Sequence, residues 1–381
     1  MKVVVTGTRG FPDVQGGVEK HCEKLYTHLA ERGCEIIVFT RKPYVSPGIN
    51  KYKGITLIPV NCPRNKFLEA FVHTLKCIFK AWRLKCDILH IHAIGPSFFT
   101  PLARILGMTV VVTTHGPDYK REKWSLPAKV FLEFCEKMGM TFANEIIAIS
   151  NNIAEDIKKK YIRNPVIIPN GVEIPMLANT EHILEKYELQ KMKYILEVGR
   201  IVPEKGCHDL IEAFVKGKFK DVKLVIAGDA DHHDKYSNEL KTKASQLSNV
   251  VLTGFLTEQP LQELYSHAAL FVLPSYYEGL PIALLEAMSY GLSCIASGIP
   301  ANRNVPLDEK RFFKEGDIKS IVSHIEDFLS KEWDEKDREE QVRMIYALYN
   351  WEKIADETLE VYKSIVSRGM DTKISEKGIT R

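Results

Sequence analysis

Leu270-Phe271-Val272-Leu273-Pro274-Ser275-Tyr276-Tyr277-Glu278-Gly279-Leu280-Pro281-Ile282-Ala283-Leu284-Leu285-Glu286 reads as a strand, a loop and a helix in succession. The opening run is apolar throughout, as in strands buried on both faces of a parallel sheet. Pro274 stops it. Gly279 allows a ligand close to the backbone, and Pro281 suits the first position of a helix over 282–290. Glu278 then stands just before the helix and Glu286 well inside it, among apolar neighbours. A carboxylate in such a stretch is costly unless hydrogen-bonded. The hydroxyls of a ribose or hexose would satisfy it, as would an ordinary salt bridge. For Glu278 the alternative is compensation of the helix dipole. The N–H groups around Gly279, Leu280 and Ile282 are expected to face a ligand.

Working outward, the same unit recurs. Strands are expected at 194–198, 223–227, 250–253, 270–273 and 293–296, with helices near 206–217, 235–247, 258–267, 280–291 and 316–330. An earlier series places strands at 3–6, 35–39, 56–59, 87–90, 110–113 and 145–149, with helices near 17–32, 66–85, 97–106, 127–142 and 151–161. Two consecutive βαβ series predict an α/β protein of two doubly wound, Rossmann-like parallel-sheet domains facing across a cleft. The turn Pro169-Asn170-Gly171 separates them. The expected divisions are 1–172, 173–350, a helix over 351–369 packing back on the first domain, and a frayed polar tail over 370–381. Ligands in such sheets bind beyond the carboxyl ends of the strands, and the default site is the cleft.

The length of 381 residues fits two domains. A formal charge of +3 argues against nucleic acid as partner, which needs a concentrated basic footprint. The eight cysteines are scattered without a C-x-x-C pair, which suits a reducing cytosol. The start, Met1 to Gly7, reads as strand into turn rather than signal peptide. No uncharged apolar run reaches the ~20 residues that span a bilayer. The expected location is cytoplasmic, with peripheral association on the inner face of the cell membrane as an option.

Two loops offer anion chemistry. Gly7 to Glu19, with Gly16 and Gly17 at the start of a helix, presents free N–H groups and a positive dipole end. Its spacing is neither G-x-G-x-x-G nor a P-loop, so a turn that merely needs positive φ accounts for it equally well. Gly199-Arg200-Ile201-Val202-Pro203-Glu204-Lys205-Gly206 follows a strand end, and its two cations suit a diphosphate. The plainer reading is two solvated loop charges. Asp229-Ala230-Asp231-His232-His233-Asp234 carries metal-type ligands, but without fixed geometry they do not make a site, and no metal or other cofactor is expected. In 66–85, Phe71, Leu75, Ile78 and Trp82 share one helical face, while His73, Lys76, Lys80 and Arg83 share a neighbouring one. That pattern fits a helix packed on the core with a basic solvated side, or one lying on an anionic membrane.

Glu278 to Met288, together with Gly199-Arg200 to Lys205-Gly206, resembles the retaining nucleotide-sugar glycosyltransferases of family 4, of GT-B fold and cell-surface polysaccharide type. The Gly16-Gly17 turn, Thr114-His115-Gly116, Ile168-Pro169-Asn170-Gly171-Val172, Ala227-Gly228-Asp229 and Trp351 extend the likeness over nearly the whole chain. The resemblance implies that Glu278 meets the donor sugar's hydroxyls and Glu286 the ribose. Arg200 and Lys205 neutralise the leaving diphosphate, helped by backbone amides at Gly279 and Leu280. Gly16 and Gly17 approach the donor phosphate or the acceptor, and His115 lies near the transferred sugar. Gly254, Phe255 and Leu256 line the base. The implied reaction is metal-independent transfer of a hexose, with retention, from a UDP- or GDP-sugar to a glycan or polyprenyl-lipid-linked hydroxyl. No dedicated base is required; His115 and Asp118 are the candidates. The loop Ser297 to Val305 departs from the family's longer glycine-rich loop with a glutamate.

Three alternatives compete. One is a nucleotide-sugar epimerase or a sugar-phosphate glycosyltransferase on the same fold. A second is a non-catalytic nucleotide-binding protein. A dinucleotide oxidoreductase is disfavoured, because G-x-G-x-x-G is missing and Phe39-Thr40-Arg41 ends the second strand without an acidic residue.

Overall fold

The structure is a computed structural model of the chain and describes residues 1–63, 65, 68–120, 124–230 and 234–378. It divides into two compact units, Met1–Gly171 with Trp351–Arg381, and Val172–Asn350.

In the first unit β1 (Lys2–Thr6) leads to α1 (Gly17–Glu31), β2 (Glu35–Arg41), β3 (Lys51–Tyr52), β4 (Ile55–Val60) and α2 (Glu69–Leu84). Then come β5 (Ile88–His92), α3 (Ile94–Ser97), α4 (Thr100–Ile105), β6 (Val110–Thr114), α5 (Leu126–Phe142), β7 (Glu145–Ala148), α6 (Asn151–Tyr161) and β8 (Val166–Ile167). The sheet runs β3-β4-β2-β1-β5-β6-β7-β8 and is parallel except for the β3–β4 pair. That pair turns at Lys53 and Gly54, both at positive φ, which is how a tight hairpin matches strand twist. Val3, Val4, Val5, Val110, Val111 and Val112 are wholly buried, as the unbroken apolar runs require.

The helix expected over 97–106 is two helices. Pro101 lacks the N–H a continuous helix would use, so the chain restarts at Thr100. Ser97 fills the break: its hydroxyl donates to the carbonyls of Ile94 at 2.6 Å and Cys135 at 3.1 Å.

The second unit contains α7 (His182–Lys186), β9 (Tyr194–Val198), α8 (Cys207–Gly217), β10 (Lys223–Ala227), α9 (Lys235–Ser245), β11 (Val250–Gly254) and α10 (Glu258–His267). It continues through β12 (Leu270–Leu273), α11 (Ile282–Ser289), β13 (Cys294–Ser297), β14 (Phe312–Phe313), α12 (Ile318–Ser330) and α13 (Glu335–Tyr349). The sheet order is β11-β10-β9-β12-β13-β14, with every pairing parallel among the described residues. Both units are therefore doubly wound. Pro281 is not the first helical residue: its ψ of 88° is extended, and α11 begins one residue later.

The last helix, α14 (Trp351–Gly378), belongs to the first unit and passes the boundary at 369 read from the sequence. Its Trp351, Ile354, Ala355 and Tyr362 join Leu25, Tyr26 and Leu29 of α1 in one core. Each buried leucine or isoleucine among them contributes about 1.5–3 kcal/mol relative to exposure. Gly171 lies against the Trp351 ring so closely that a Cβ would sit 2.5 Å from it. Arg32 of α1 pairs with Asp356 at 2.5 Å and Glu352 at 2.7 Å.

Candidate active site

In a doubly wound sheet the loops diverge where the strand order reverses, and a ligand can enter there. In the second unit that point lies between β9 and β12. The loops leaving those two strands carry Arg200 and Lys205 on one side and Glu278 on the other, so residues distant in sequence meet. Lys205 Nζ donates to Glu278 Oε1 at 2.6 Å, and the Ser275 hydroxyl donates to the same oxygen at 2.7 Å. The two loops are fastened to each other. The Tyr276 N–H donates to the Glu204 carbonyl at 2.9 Å. Gly206 packs on Pro274 with no room for a side chain, since a Cβ would lie 2.2 Å from the Pro274 carbonyl oxygen. The 297–305 loop braces the same place: the Ser297 hydroxyl donates to the Ser275 carbonyl at 2.5 Å, and Asn302 Nδ2 donates to the Ser297 carbonyl at 2.9 Å.

Sequence reasoning missed Glu197. It sits near the end of β9 and is wholly buried, and neither carboxylate oxygen has a hydrogen-bond donor among the described residues. Burial pushes its pKa up to about 8, against the opposing pull of the Lys205 ammonium. Gly199 is needed beside it, because a Cβ there would lie 2.7 Å from Glu197 Oε1 and 3.6 Å from the Lys205 chain. Lys205 therefore stands between two carboxylates. The signal was in the sequence: one charged residue in the apolar run Tyr194–Val198.

Glu286 is half-buried on α11 and accepts from the Tyr265 hydroxyl at 3.2 Å. Tyr265 stacks on Tyr290, ring centroids 5.0 Å apart. Gly279 is half-buried and Leu280 buried in the loop before α11. Gly254 ends β11 at positive φ, Phe255 follows with 41% of its surface exposed, and Leu256 is half-buried.

In the first unit the order reverses between β1 and β5. The loop after β1 is locked by its own charges: Arg9 Nε donates to Glu19 Oε1 at 3.1 Å, and the Arg9 N–H donates to that oxygen at 3.1 Å. Burial would raise the Glu19 pKa, but the charge and hydrogen bonds of Arg9 hold it below the usual value. Gly16 has φ +148°, and a Cβ there would lie 2.1 Å from Glu19 Oε2. Its lack of a side chain is thus explained by the protein itself. Gly17 is the first residue of α1.

Four histidines gather beneath this loop. His90 and His92 lie two residues apart on β5 and so share a face, their rings stacked 4.3 Å apart. His115 follows β6, and its Nε2 lies 3.0 Å from His92 Nδ1. His21 of α1 packs edge-on to His115 at 5.0 Å. Only His115 was read from the sequence; the H-x-H of β5 and His21 were not. All four pKa values are depressed, chiefly by burial and then by one another, His90 and His115 to about 3. The second base candidate, Asp118, opens a one-turn helix and is half-buried.

Nitrogens of His21, His92 and His115 lie within 4.8 Å of one another, the kind of set that can hold a metal ion. His92 does not offer a free lone pair, because Nδ1 meets His115 and Nε2 meets the Tyr26 hydroxyl at 2.6 Å. Of the Asp229-to-Asp234 cluster, Asp231, His232 and His233 lie outside the described residues. Asp229 pairs with Lys241 at 2.6 Å, and Asp234 caps α9.

The reading of α2 needs correction; Lys66 and Phe67 of its expected span lie outside the described residues. His73 is not on the basic solvated side but fully buried, and burial holds its pKa down near 3. The buried stripe is His73, Cys77, Ile78 and Ala81. Trp82 is 48% exposed and Phe79 45%, beside the exposed Lys76, Lys80 and Arg83. The apolar surface continues onto α5, where Phe131 and Phe134 are half exposed and approach Phe98 at 5.9 and 6.1 Å. Among the described residues no helix is long and apolar enough to cross a membrane.

Two family descriptions match the chain in tandem: Glycosyltransferase Family 4 over residues 15–174 and Glycosyl transferases group 1 over 179–351. An uncharacterized glycosyltransferase of Methanocaldococcus jannaschii is 27% identical, covering 95% of this chain and 98% of that protein. The UDP-Gal:alpha-D-GlcNAc-diphosphoundecaprenol alpha-1,3-galactosyltransferase of Escherichia coli is 28% identical over 64% of this chain and 66% of its own. Sucrose-phosphate synthase from Thermosynechococcus elongatus has the same fold, with a TM-score of 0.83 at 21% identity over 96% of this chain and 99% of its own.

Proposed function

The chain belongs to glycosyltransferase family 4, with the GT-B fold, and from that premise we propose that it transfers a hexose from a nucleotide-diphosphate sugar, UDP- or GDP-linked, with retention of anomeric configuration. The observation that carries this reading is the Lys205–Glu278 pair at the strand-order reversal of the second unit, with Arg200 on the same loop. In this reading the second unit, 173–350, binds the donor and the first, 1–172, binds the acceptor. Breaking the sugar–phosphate bond builds positive charge on the ring carbon and negative charge on the departing diphosphate. Arg200 and Lys205 stabilise the second, with the N–H groups of Gly279 and Leu280. Glu278 turns from Lys205 to the sugar hydroxyls, Glu286 takes the ribose, and Phe255 stacks on the base beside Gly254 and Leu256. These cations and N–H groups do the work a metal would otherwise do, and the departing phosphate oxygen accepts the proton of the attacking hydroxyl, so no dedicated base is required.

The acceptor in this reading is a glycan or polyprenyl-lipid-linked hydroxyl, in polysaccharide biosynthesis. The related Escherichia coli enzyme is described as acting on a diphosphoundecaprenol-linked sugar. The exposed apolar surface of α2 and α5, rimmed by Lys76, Lys80 and Arg83, fits docking on an anionic membrane at the cell's inner face. A thermal-shift screen of UDP-, GDP-, ADP- and dTDP-sugars tests the donor assignment, since a bound ligand raises folded-state stability. A shift with a UDP- or GDP-hexose is expected, and none with any of the four classes would overturn it.

A further inference from the structure

Three of the four histidines beneath the first unit's loop, His90, His92 and His115, form one hydrogen-bonded chain that reaches α14. Tyr362 OH lies 2.5 Å from His90 Nδ1, and His90 Nε2 lies 2.7 Å from Thr113 Oγ1. Tyr26 OH lies 2.9 Å from His90 Nδ1 and 2.6 Å from His92 Nε2. His92 Nδ1 then meets His115 Nε2 at 3.0 Å. Tyr26, Tyr362, His90 and His92 are fully buried, out of reach of bulk solvent.

We infer that Tyr26 and His92 are positioning residues that fix His115 as the tautomer protonated on Nδ1, which makes it a hydrogen-bond donor to substrate and not a general base. A buried phenol keeps its proton, and the pKa values of both tyrosines are raised by burial. Each hydroxyl therefore has one proton to give, and an imidazole lone pair is the better acceptor. Tyr362 serves His90 Nδ1, its shorter contact, and His90 passes its Nε2 proton to Thr113. Tyr26 serves its own shorter contact, His92 Nε2. A neutral imidazole carries one N–H, so His92 bears it on Nδ1 and donates to His115 Nε2. That occupies the Nε2 lone pair of His115 and leaves its single proton on Nδ1. Reversing the sense would turn the Tyr26 proton from its shorter contact, His92 Nε2, to the longer one, His90 Nδ1, which Tyr362 already serves, or to the Tyr362 hydroxyl, a poorer acceptor than an imidazole lone pair. Among the described residues His115 Nδ1 has no hydrogen-bond partner in the protein. His115 is half-buried where His90 and His92 are fully buried, so its N–H is the one placed to meet a substrate oxygen.

The functional half of this inference rests on the reading that His115 lies near the transferred sugar; the tautomer does not. The test is two-bond proton–nitrogen NMR on the full chain with labelled histidine at neutral pH, His115 being assigned by its loss in His115→Gln. The expected signature is a protonated Nδ1 and an unprotonated Nε2. It should persist in Tyr362→Phe and change in Tyr26→Phe, whose transfer rate should fall about tenfold or more at unchanged donor KM. An Nε2-protonated His115 in the unmodified protein would overturn the inference, even if Tyr26→Phe failed to fold. An unchanged signature in Tyr26→Phe would overturn it as well. Full transfer by His115→Gln would instead remove His115 from the sugar, whatever its tautomer.

Discussion

Lys205 and Glu278 form an ion pair of 2.6 Å between the loops that leave two adjacent parallel strands, β9 and β12. Both side chains are largely shielded, with 16% and 10% of their surfaces exposed. A shielded pair roughly breaks even against its own desolvation, so it can be rearranged by a ligand that replaces both partners. In the proposed reaction a diphosphate replaces the carboxylate for Lys205, and sugar hydroxyls replace the ammonium for Glu278. The pair holds both side chains where the proposed donor needs them.

Glu197 makes this unit sensitive to base. Its folded pKa, about 8, lies above the ordinary 4.5, so the protonated form is the one folding favours. That contribution is complete below about pH 4.5 and is lost as pH rises through 8. Glu197→Gln should therefore raise the unfolding free energy at pH 8.5, by on the order of 1–3 kcal/mol, and change it little at pH 5. Equal effects at both pH values would contradict the assignment.

The histidine cluster has the opposite sign. His90 and His115 titrate near 3 in the fold against 6.5 when free, so the unfolded chain binds protons first as pH falls. Stability is full above about pH 6.5 and declines toward pH 3, by up to about 1.4 kcal/mol per pH unit for each histidine. Urea denaturation at pH 7.5 and pH 5.5 should show a clear drop. A flat profile would mean these rings are not held neutral.

The α2–α5 surface predicts membrane binding that needs both charge and apolar contact. Trp82→Ser combined with Phe131→Ser alters exposed side chains only. Each lost aromatic should weaken co-sedimentation with anionic phosphatidylglycerol vesicles about tenfold, without affecting transfer to a soluble acceptor. Vesicle binding equal to that of the unmodified chain would remove this face from the membrane.

Much of this was legible in the sequence, for physical reasons. The strands are mostly apolar runs rich in β-branched residues, and punctuation at Pro274, Gly279 and Pro281 marks the loop between β12 and α11. Lys205 and Glu278 could be named, but their contact depends on β9 and β12 being neighbours, which is a property of strand order. Glu197 passed as a strand residue because its setting comes from burial. The stripe of α2 that faces the sheet contains His73, and periodicity alone could not tell that a histidine would be buried while a tryptophan stayed exposed. The helix break at Pro101 was a local signal that the 97–106 reading overrode.

The most direct measurement pairs donor binding with transfer in two variants. Glu278→Gln keeps the shape of the side chain and leaves Arg200 and Lys205 in place. By calorimetry it should bind the nucleoside diphosphate within about threefold of the unmodified protein, while sugar transfer falls about 10²–10³-fold. Arg200→Ala should weaken both binding and transfer, by about tenfold or more. Unimpaired transfer by both variants would contradict the assignment of this site.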